Sequence, residues 1–479
     1  MAPGLRRRSH RRVVAIVALV LLGAGRGALA EGSPPAARPA APLKLSLAQA
    51  LAIGLRDSLA LRNRELFVQE NQALVGLART RFLPKLDLVG LSSYGQVGTS
   101  IGFISNLNSI GDLNFNLKAN GTAVVQNTFA SGGLALNIPL VDFARGPLQQ
   151  AASFNLQAAQ EEQSEQQRLS RFEIAGAYYN AQLAEAQVPV WQRSLQVSSI
   201  VLRDARAIRR QGLAARIDTL QAEALVQTDR QGLDDALAQR QIALSALARA
   251  LNLPPEQQLS VEDPLRMAPP WPLGLEQTLQ QALKQRPSLE ALKRQRQALL
   301  AQVRAAKAAN LPSIGLILGG GFSGDWLGIK GDILSSSDAT SSTSSSGSFY
   351  DWGGVLTLRQ PLYDGGQSRE STALAQRKAE QGQVAIEQAR QTITQNVQTW
   401  YASYQAAGPQ IQAATAAAKA GDEAVRDALL RYRAGIAPLT ELLLAQRNRQ
   451  QASTAQAAAI HRWNLSRAGL ELETGLLAP

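Results

Sequence analysis

The pattern of this chain is written twice along its length, and that duplication bounds what it can fold into. Leu83-Pro84 recurs as Leu311-Pro312, and Pro139-Leu140-Val141-Asp142 as Pro361-Leu362-Tyr363-Asp364. Gly212, with Asp218-Thr219-Leu220 and Ala222, recurs as Gly435 with Glu441-Leu442-Leu443 and Ala445. The offsets are 228, 222 and 223 residues, a nearly constant register. Solenoid units repeat every ~20–50 residues. A period this long makes each copy a whole strand-and-helix module, and two modules imply pseudo-symmetry.

Within a copy the pattern switches period. Leu47, Leu51, Leu55, Leu66, Ala73 and Leu77 give a helical stretch to Arg79. Leu83-Pro84 ends it, because proline disfavours helical geometry in the residue before it. Alternation then predicts a strand of about 11 residues over 84–94. A polar Asn/Gly-rich stretch follows to Gly133, and a second strand covers 134–140. From Pro147 to Gln211 the chain is dominated by Ala, Gln, Leu, Glu and Arg, all good helix formers. Pro189 marks a kink in it. Gly212 stops the helix as a left-handed cap, and Asp218 starts a return helix to Asn252, before Pro254-Pro255. The second copy repeats the order: a helix over 275–309, a strand from Leu311-Pro312 and a polar Ser335–Ser348 tract. A strand over 355–362 and a helix over 367–434, interrupted at Gly408-Pro409, follow, then a turn at Gly435 and a helix to Glu473.

The first residues read as an export signal. Arg6-Arg7-Arg8 and Arg11-Arg12 precede an apolar run from Val13 to Leu22, followed by Ala28-Leu29-Ala30. The run is about half of the ~20 residues a spanning helix needs. The organisation expected is a signal peptide (1–30), a Pro/Ala-rich leader (31–43), a first module (44–255), a linker (256–274) and a second module (275–479). Residues 1–30 hold six arginines and no acid, so cleavage lowers the formal net charge from +12 to +6. The remaining basic residues are dispersed among Gln and Glu, which argues against nucleic acid as a partner. With no cysteine and, beyond His10, only His461, the chain offers no disulfides, no lipidation cysteine, and almost no means of building a thiol, metal or nucleophile site. No cofactor and no enzymatic activity are expected. Gly319-Gly320-Gly321-Phe322-Ser323-Gly324 fits a dinucleotide fingerprint, but a loop, not a helix, is expected after it.

The long helices are rich in Ala and Gln and poor in large apolar residues, so they pack closely but cannot enclose a core alone. The strands have the length of membrane-spanning β-strands. A bilayer tolerates strands only in closed barrels, and four are too few, so several chains must contribute. Tyr94, Phe349, Tyr350, Trp352 and Tyr363 lie near the expected strand ends, where aromatic girdles occur.

These residues resemble the TolC-type outer-membrane efflux channel family over roughly residues 44–479. Arg431-Tyr432-Arg433-Ala434-Gly435 with Leu439-Thr440-Glu441-Leu442-Leu443-Leu444-Ala445-Gln446 is similar to the family's second periplasmic turn. Arg210-Gln211-Gly212-Leu213 with Ile217-Asp218-Thr219-Leu220 is similar to the first. The Leu-Pro strand starts and the Pro-Leu-x-Asp strand ends also match. The fold expected is mainly α with a membrane β-barrel part. It is two tandem repeats in a homotrimer with a 12-strand barrel and a periplasmic α-helical tunnel.

The resemblance implies an outer-membrane exit channel of a tripartite efflux or type I secretion system, passively conducting cargo from an inner-membrane pump and its periplasmic adaptor. It places adaptor docking at Gly212, Leu213, Gly435 and Ile436. It places the pore constriction at Glu441, Leu444, Asp218 and Tyr432. Glu441 matches the first acidic constriction position, while the second is Leu444 here. An arginine of the closed-state network in some members is Ala437 here, leaving packing, Arg431 or Arg433 to hold the closed state. From the residues alone, Glu441 and Asp218 also read as charges offsetting a helix dipole. A periplasmic structural coiled-coil protein without a pore is the alternative for the whole chain.

Overall fold

The computed structural model describes residues 43–107, 115–212, 215–254, 257–331 and 341–476. The expected signal peptide and nearly all of the leader lie outside the described residues, as do Leu213 and the module boundary at 255–256. Seven elements occur twice in the same order. The first set is β1 (Leu43–Leu45), α1 (Leu47–Arg56), α2 (Leu59–Thr80), β2 (Lys85–Leu107), β3 (Phe115–Val141), α3 (Arg145–Arg210) and α4 (Arg216–Ala250). The second is β4 (Leu259–Val261), α5 (Leu275–Gln285), α6 (Pro287–Ala308), β5 (Ser313–Gly331), β6 (Ser341–Arg359), α7 (Gln367–Arg433) and α8 (Leu439–Thr474).

Local chemistry accounts for the joints. Ser46 caps α1 reciprocally with Gln49, and Ser58 caps α2. The aspartates of the repeated Pro-Leu-x-Asp motif stand just before the two long helices and accept from backbone N–H groups at their starts. Asp142 Oδ1 accepts from the Ala144 N–H at 2.9 Å. Asp364 accepts from the Ser368 hydroxyl and from the N–H groups of Ser368 and Gly366 at 2.8 and 3.0 Å, and these bonds, the hydroxyl's first, hold its carboxyl below the usual range. The motif therefore marks the change from strand to helix in both copies.

Several boundaries differ from those expected. The strands are 23, 27, 19 and 19 residues long, not about 11. Residues 95–107 and 115–133 of the polar stretch, and residues 341–348 of the serine tract, are strand. So are residues 325–331 after the glycine fingerprint, so no helix opens there. These segments are held by a backbone ladder on neighbouring strands, which does not require apolar side chains. Each short helical stretch is broken once, at Asp57-Ser58 and at Arg286-Pro287, where a cap or an N1 proline starts a new helix. Conversely, α7 runs unbroken through Gly408-Pro409, and α3 continues through Pro189.

The four long strands form one antiparallel sheet in the order β2-β3-β5-β6. Leu88 stands opposite Leu134, which faces Gly320, which faces Trp352. The adjacent row, on the other face, is Val89, Gly133, Gly321 and Asp351. Because side chains alternate, register sorts charge by face. Among strand residues whose side chains are described, all five charged ones (Lys85, Asp87, Asp325, Asp351, Arg359) fall on one face. Among the same described residues the other face carries no charge and holds Leu86, Leu88, Leu134, Leu356, Leu358 and Trp352, which is 92% exposed. The outer edges, β2 and β6, have no further strand partner among the described residues.

Below the sheet the two helical hairpins pack together, α8 against α3. At the start of the helices β1 pairs in parallel with β4, joining equivalent points of the two copies. Tyr178 fastens this joint, donating to Leu45 O at 3.0 Å and to Asp263 Oδ2 at 2.8 Å.

Candidate functional site: the hairpin turns

Each hairpin turns through one glycine with a left-handed backbone, Gly212 at φ 75° and Gly435 at φ 71°. Such geometry costs a residue with a Cβ roughly 1 kcal/mol or more. At the second turn the N–H groups of Ile436 and Ala437 donate to Arg431 O at 2.9 and 3.3 Å. That is the six-to-one closure of a Schellman cap. Pro438 then runs extended into α8. The closure leaves Ile436 71% exposed at the tip. At the first turn Gly212 N–H donates to Arg209 O at 2.9 Å. The expected docking residues Gly212, Gly435 and Ile436 are thus exposed at turns, and Leu213 lies outside the described residues.

Asp218 and Glu441 occupy the same third position of their helices, where a carboxylate favours exposed N–H groups. Asp218 Oδ2 accepts from the Ala215 N–H at 3.2 Å. Glu441 Oε1 instead accepts from Arg431 Nη1 at 2.9 Å, an ion pair across the turn that is nearly half exposed on both sides. Leu444, one turn on, is 58% exposed.

Tyr432 is placed differently. It is 6% exposed and packs with Val201 and Ala205 of α3, Ala222 of α4 and Leu439 and Leu442 of α8. Its hydroxyl is buried without a partner. Burial, reinforced by the nearby carboxylates of Asp218 and Asp204, pushes its phenol upward. Tyr432 therefore sits inside this chain, between its hairpins, and not on the exposed side with Glu441 and Leu444. The two hairpins are tied beside it by Arg433 Nε donating to Asp204 Oδ2 at 2.7 Å. Asp204 was not anticipated: nothing local distinguishes it on α3, and only tertiary packing brings it to Arg433.

Among the described residues no three His, Cys, Asp or Glu side chains converge to hold a metal ion. His461 Nε2 lies 2.8 Å from Asn180 Oδ1, and burial pushes its imidazole downward. No described helix is long and apolar enough to cross a membrane. What the arrangement offers is mechanical: two capped tips joined by packing and ion pairs that can be broken.

The comparisons agree with this architecture. The profile of the outer membrane efflux protein family matches residues 54–253 and 278–476. The chain is 27% identical over 414 residues to Protein CyaE of Bordetella pertussis, covering 84% of this chain and 78% of that protein. It is 27% identical over 289 residues to outer membrane protein OprJ of Pseudomonas aeruginosa, covering 58% and 55%. The solved outer-membrane channel OprN has the same fold, with a TM-score of 0.72 at 19% identity over 90% of this chain and 89% of that one. With the family profile falling once on each copy, the chain belongs to the outer membrane efflux protein family.

Proposed function

We propose that three copies of this chain close a 12-strand barrel in the outer membrane and continue it as a helical tunnel into the periplasm. The tunnel forms a passive exit duct for an inner-membrane pump and its adaptor. The observation that carries this is the sheet. Among the residues whose side chains are described, one face is free of charge, and its apolar rows extend from Ile314 and Leu358 to Tyr94 and Trp326. At ~3.3 Å per residue that is roughly 40 Å along β5, or about 30 Å of height at a strand tilt of about 40°, the thickness of a bilayer's hydrocarbon core. The two unpaired edges run antiparallel to each other, so β6 of one copy suits β2 of the next. A bilayer would not accept them open.

In this reading residues 44–255 and 275–479 each supply one hairpin and half of the strands. The tips at Gly212, Leu213, Gly435 and Ile436 meet the adaptor. Glu441 and Leu444, repeated by three, narrow the entrance with a carboxylate ring beside an apolar ring. Tyr432 contributes by packing the hairpins together, and Asp218 by holding the start of α4. Small molecules and secreted polypeptides both suit such a duct.

The test is to purify the protein in detergent, measure its mass with the detergent subtracted, and insert it into a planar bilayer. A trimer with a small, cation-selective conductance is expected. A monomer with no conductance would sink the proposal.

A further inference from the structure

The ion pair between Arg433 and Asp204 joins the end of α7 in the second copy to α3 in the first. The offset of 223 residues that relates Gly212 to Gly435 also relates Arg210 to Arg433 and Asp204 to Asp427. Both partners of this cross-copy bond therefore exist a second time, in equivalent places, with identical chemistry. Within one chain the second set does not meet. Arg210 is exposed and takes part in no side-chain hydrogen bond or ion pair among the described residues. Asp427 has a side chain 70% exposed and only a 3.9 Å approach to Arg431, whose shorter bond, 2.9 Å, is to Glu441.

A ring of alternating copies has two kinds of joint. In one, the second copy meets the first copy of the same chain. In the other, the second copy meets the first copy of the next chain. Pseudo-symmetry carries the bond seen at the first joint to the second joint with the roles exchanged. We propose that Arg210 of one chain pairs with Asp427 of the next, so that the same arginine–aspartate clasp closes the ring at every joint near the hairpin tips. The proposal rests on the ring inferred above. It adds which residues meet there and predicts a partner: a second copy of this chain.

The exposed apolar residues around these positions fit such a joint. Leu430 lies one turn from Asp427, and Ile217 and Leu220 follow the turn after Arg210, all about half exposed or more. Burying them beside the ion pair would lower the local dielectric and shield it from salt.

The absence of cysteine makes the test clean. Arg210→Cys/Asp427→Cys in the detergent-extracted full-length protein, treated with a short bis-maleimide, should give covalently linked dimers and trimers on a denaturing gel. Asp204→Cys/Arg433→Cys should link within one chain and add no subunit mass. Independently, Asp427→Arg should reduce the trimer fraction by setting two arginines against each other, and Arg210→Asp/Asp427→Arg should restore it. A protein that is trimeric by mass but shows no inter-chain link and no rescue by the double reversal overturns the clasp and leaves the channel reading standing. A protein that is monomeric by mass overturns both.

Discussion

Arg286 lies at the break between α5 and α6 and holds three helices at once. Its Nη2 is 2.7 Å from Glu165 Oε1 on α3, and its Nη1 is 2.8 Å from Glu473 Oε2 on α8. Nη1 also donates to Leu472 O at 2.9 Å, while Asn396 of α7 donates to Glu473 Oε1 at 3.3 Å. The side chains of Arg286, Glu165 and Glu473 are 8, 12 and 2% exposed. Arg286→Met keeps most of the stem volume but leaves two buried carboxylates facing each other without their cation. Breaking a buried pair in this way costs ~3–5 kcal/mol, roughly a hundredfold to a few thousandfold in the folding equilibrium. The loss should depend on pH. Burial already holds the Glu473 carboxyl above its ordinary range, with Arg286 the main opposing influence. Without Arg286 it rises further, so the folded variant keeps a proton that the unfolded chain has lost. Stability then falls as pH rises from the ordinary glutamate value through the raised one. Urea unfolding of the detergent-solubilised protein, followed by circular dichroism, should show Arg286→Met weakest at alkaline pH and partly recovered in acid. Arg286→Met/Glu165→Gln/Glu473→Gln should regain most of the difference. If Arg286→Met stays within ~1 kcal/mol of the parent at both ends of the pH range, or the triple variant is as weak as the single one, the pair is not the support described here.

The remaining tests address the sheet, the entrance and the hairpin joint. Leu88→Arg places a charge on the apolar face and should cost ~2–4 kcal/mol of membrane insertion, whereas Val89→Arg, one residue on, should be near neutral; equal effects in a liposome-folding assay would contradict the assignment of faces. Glu441→Gln should lower cation selectivity in bilayer recordings, and an unchanged reversal potential would remove Glu441 from the constriction. Asp229 is 4% exposed and accepts from Gln446 Nε2 at 2.9 Å, with only neutral donors around it. Burial holds its carboxyl above the ordinary range, so it favours the fold in acid, and that contribution is lost as pH rises through the raised value. Asp229→Asn should remove this slope from a plot of unfolding midpoint against pH, and an identical slope in the variant would refute the assignment.

Much of the architecture was legible because its signals are local. Glycine at a left-handed turn, proline at a strand start and aspartate at a helix start act over a few residues. Gly212, Gly435, Leu83-Pro84 and Asp364 therefore mark real joints. Strand length was not legible, because Ser341–Ser348 and the residues before Gly133 gain their structure from the neighbouring strand's backbone. The continuity of α7 through Gly408-Pro409 is likewise tertiary. Ala407 is fully buried, and Tyr404 lies against Trp463 with ring centroids 4.2 Å apart. This packing on the turn before the proline offsets the hydrogen bond it removes. At the turns, residue type placed Asp218 and Glu441 correctly at helix starts. It could not place Tyr432 in the interior or bring Asp204 to Arg433, since both depend on how one copy rests on the other.

The duplication is kept in some interactions and abandoned in others, and the difference is informative. The Pro-Leu-x-Asp motifs ending in Asp142 and Asp364, the turns at Gly212 and Gly435, and the arginine and aspartate residues of the clasp occur in both copies. The buried polar contacts do not. Asp229, Gln446 and Ser194 correspond at the same offset to Ala452, Glu223 and Ala417, none of which could rebuild that network. The joint within a chain therefore carries desolvated polar contacts that the proposed joint between chains cannot copy. A buried network is costly to break by halves, and the proposed inter-chain joint, with its arginine–aspartate clasp and flanking apolar residues, has no counterpart of it. If the entrance opens by parting hairpins, the physical chemistry favours parting them between chains first. The joint within each chain would then hold each pair of hairpins together as one moving unit.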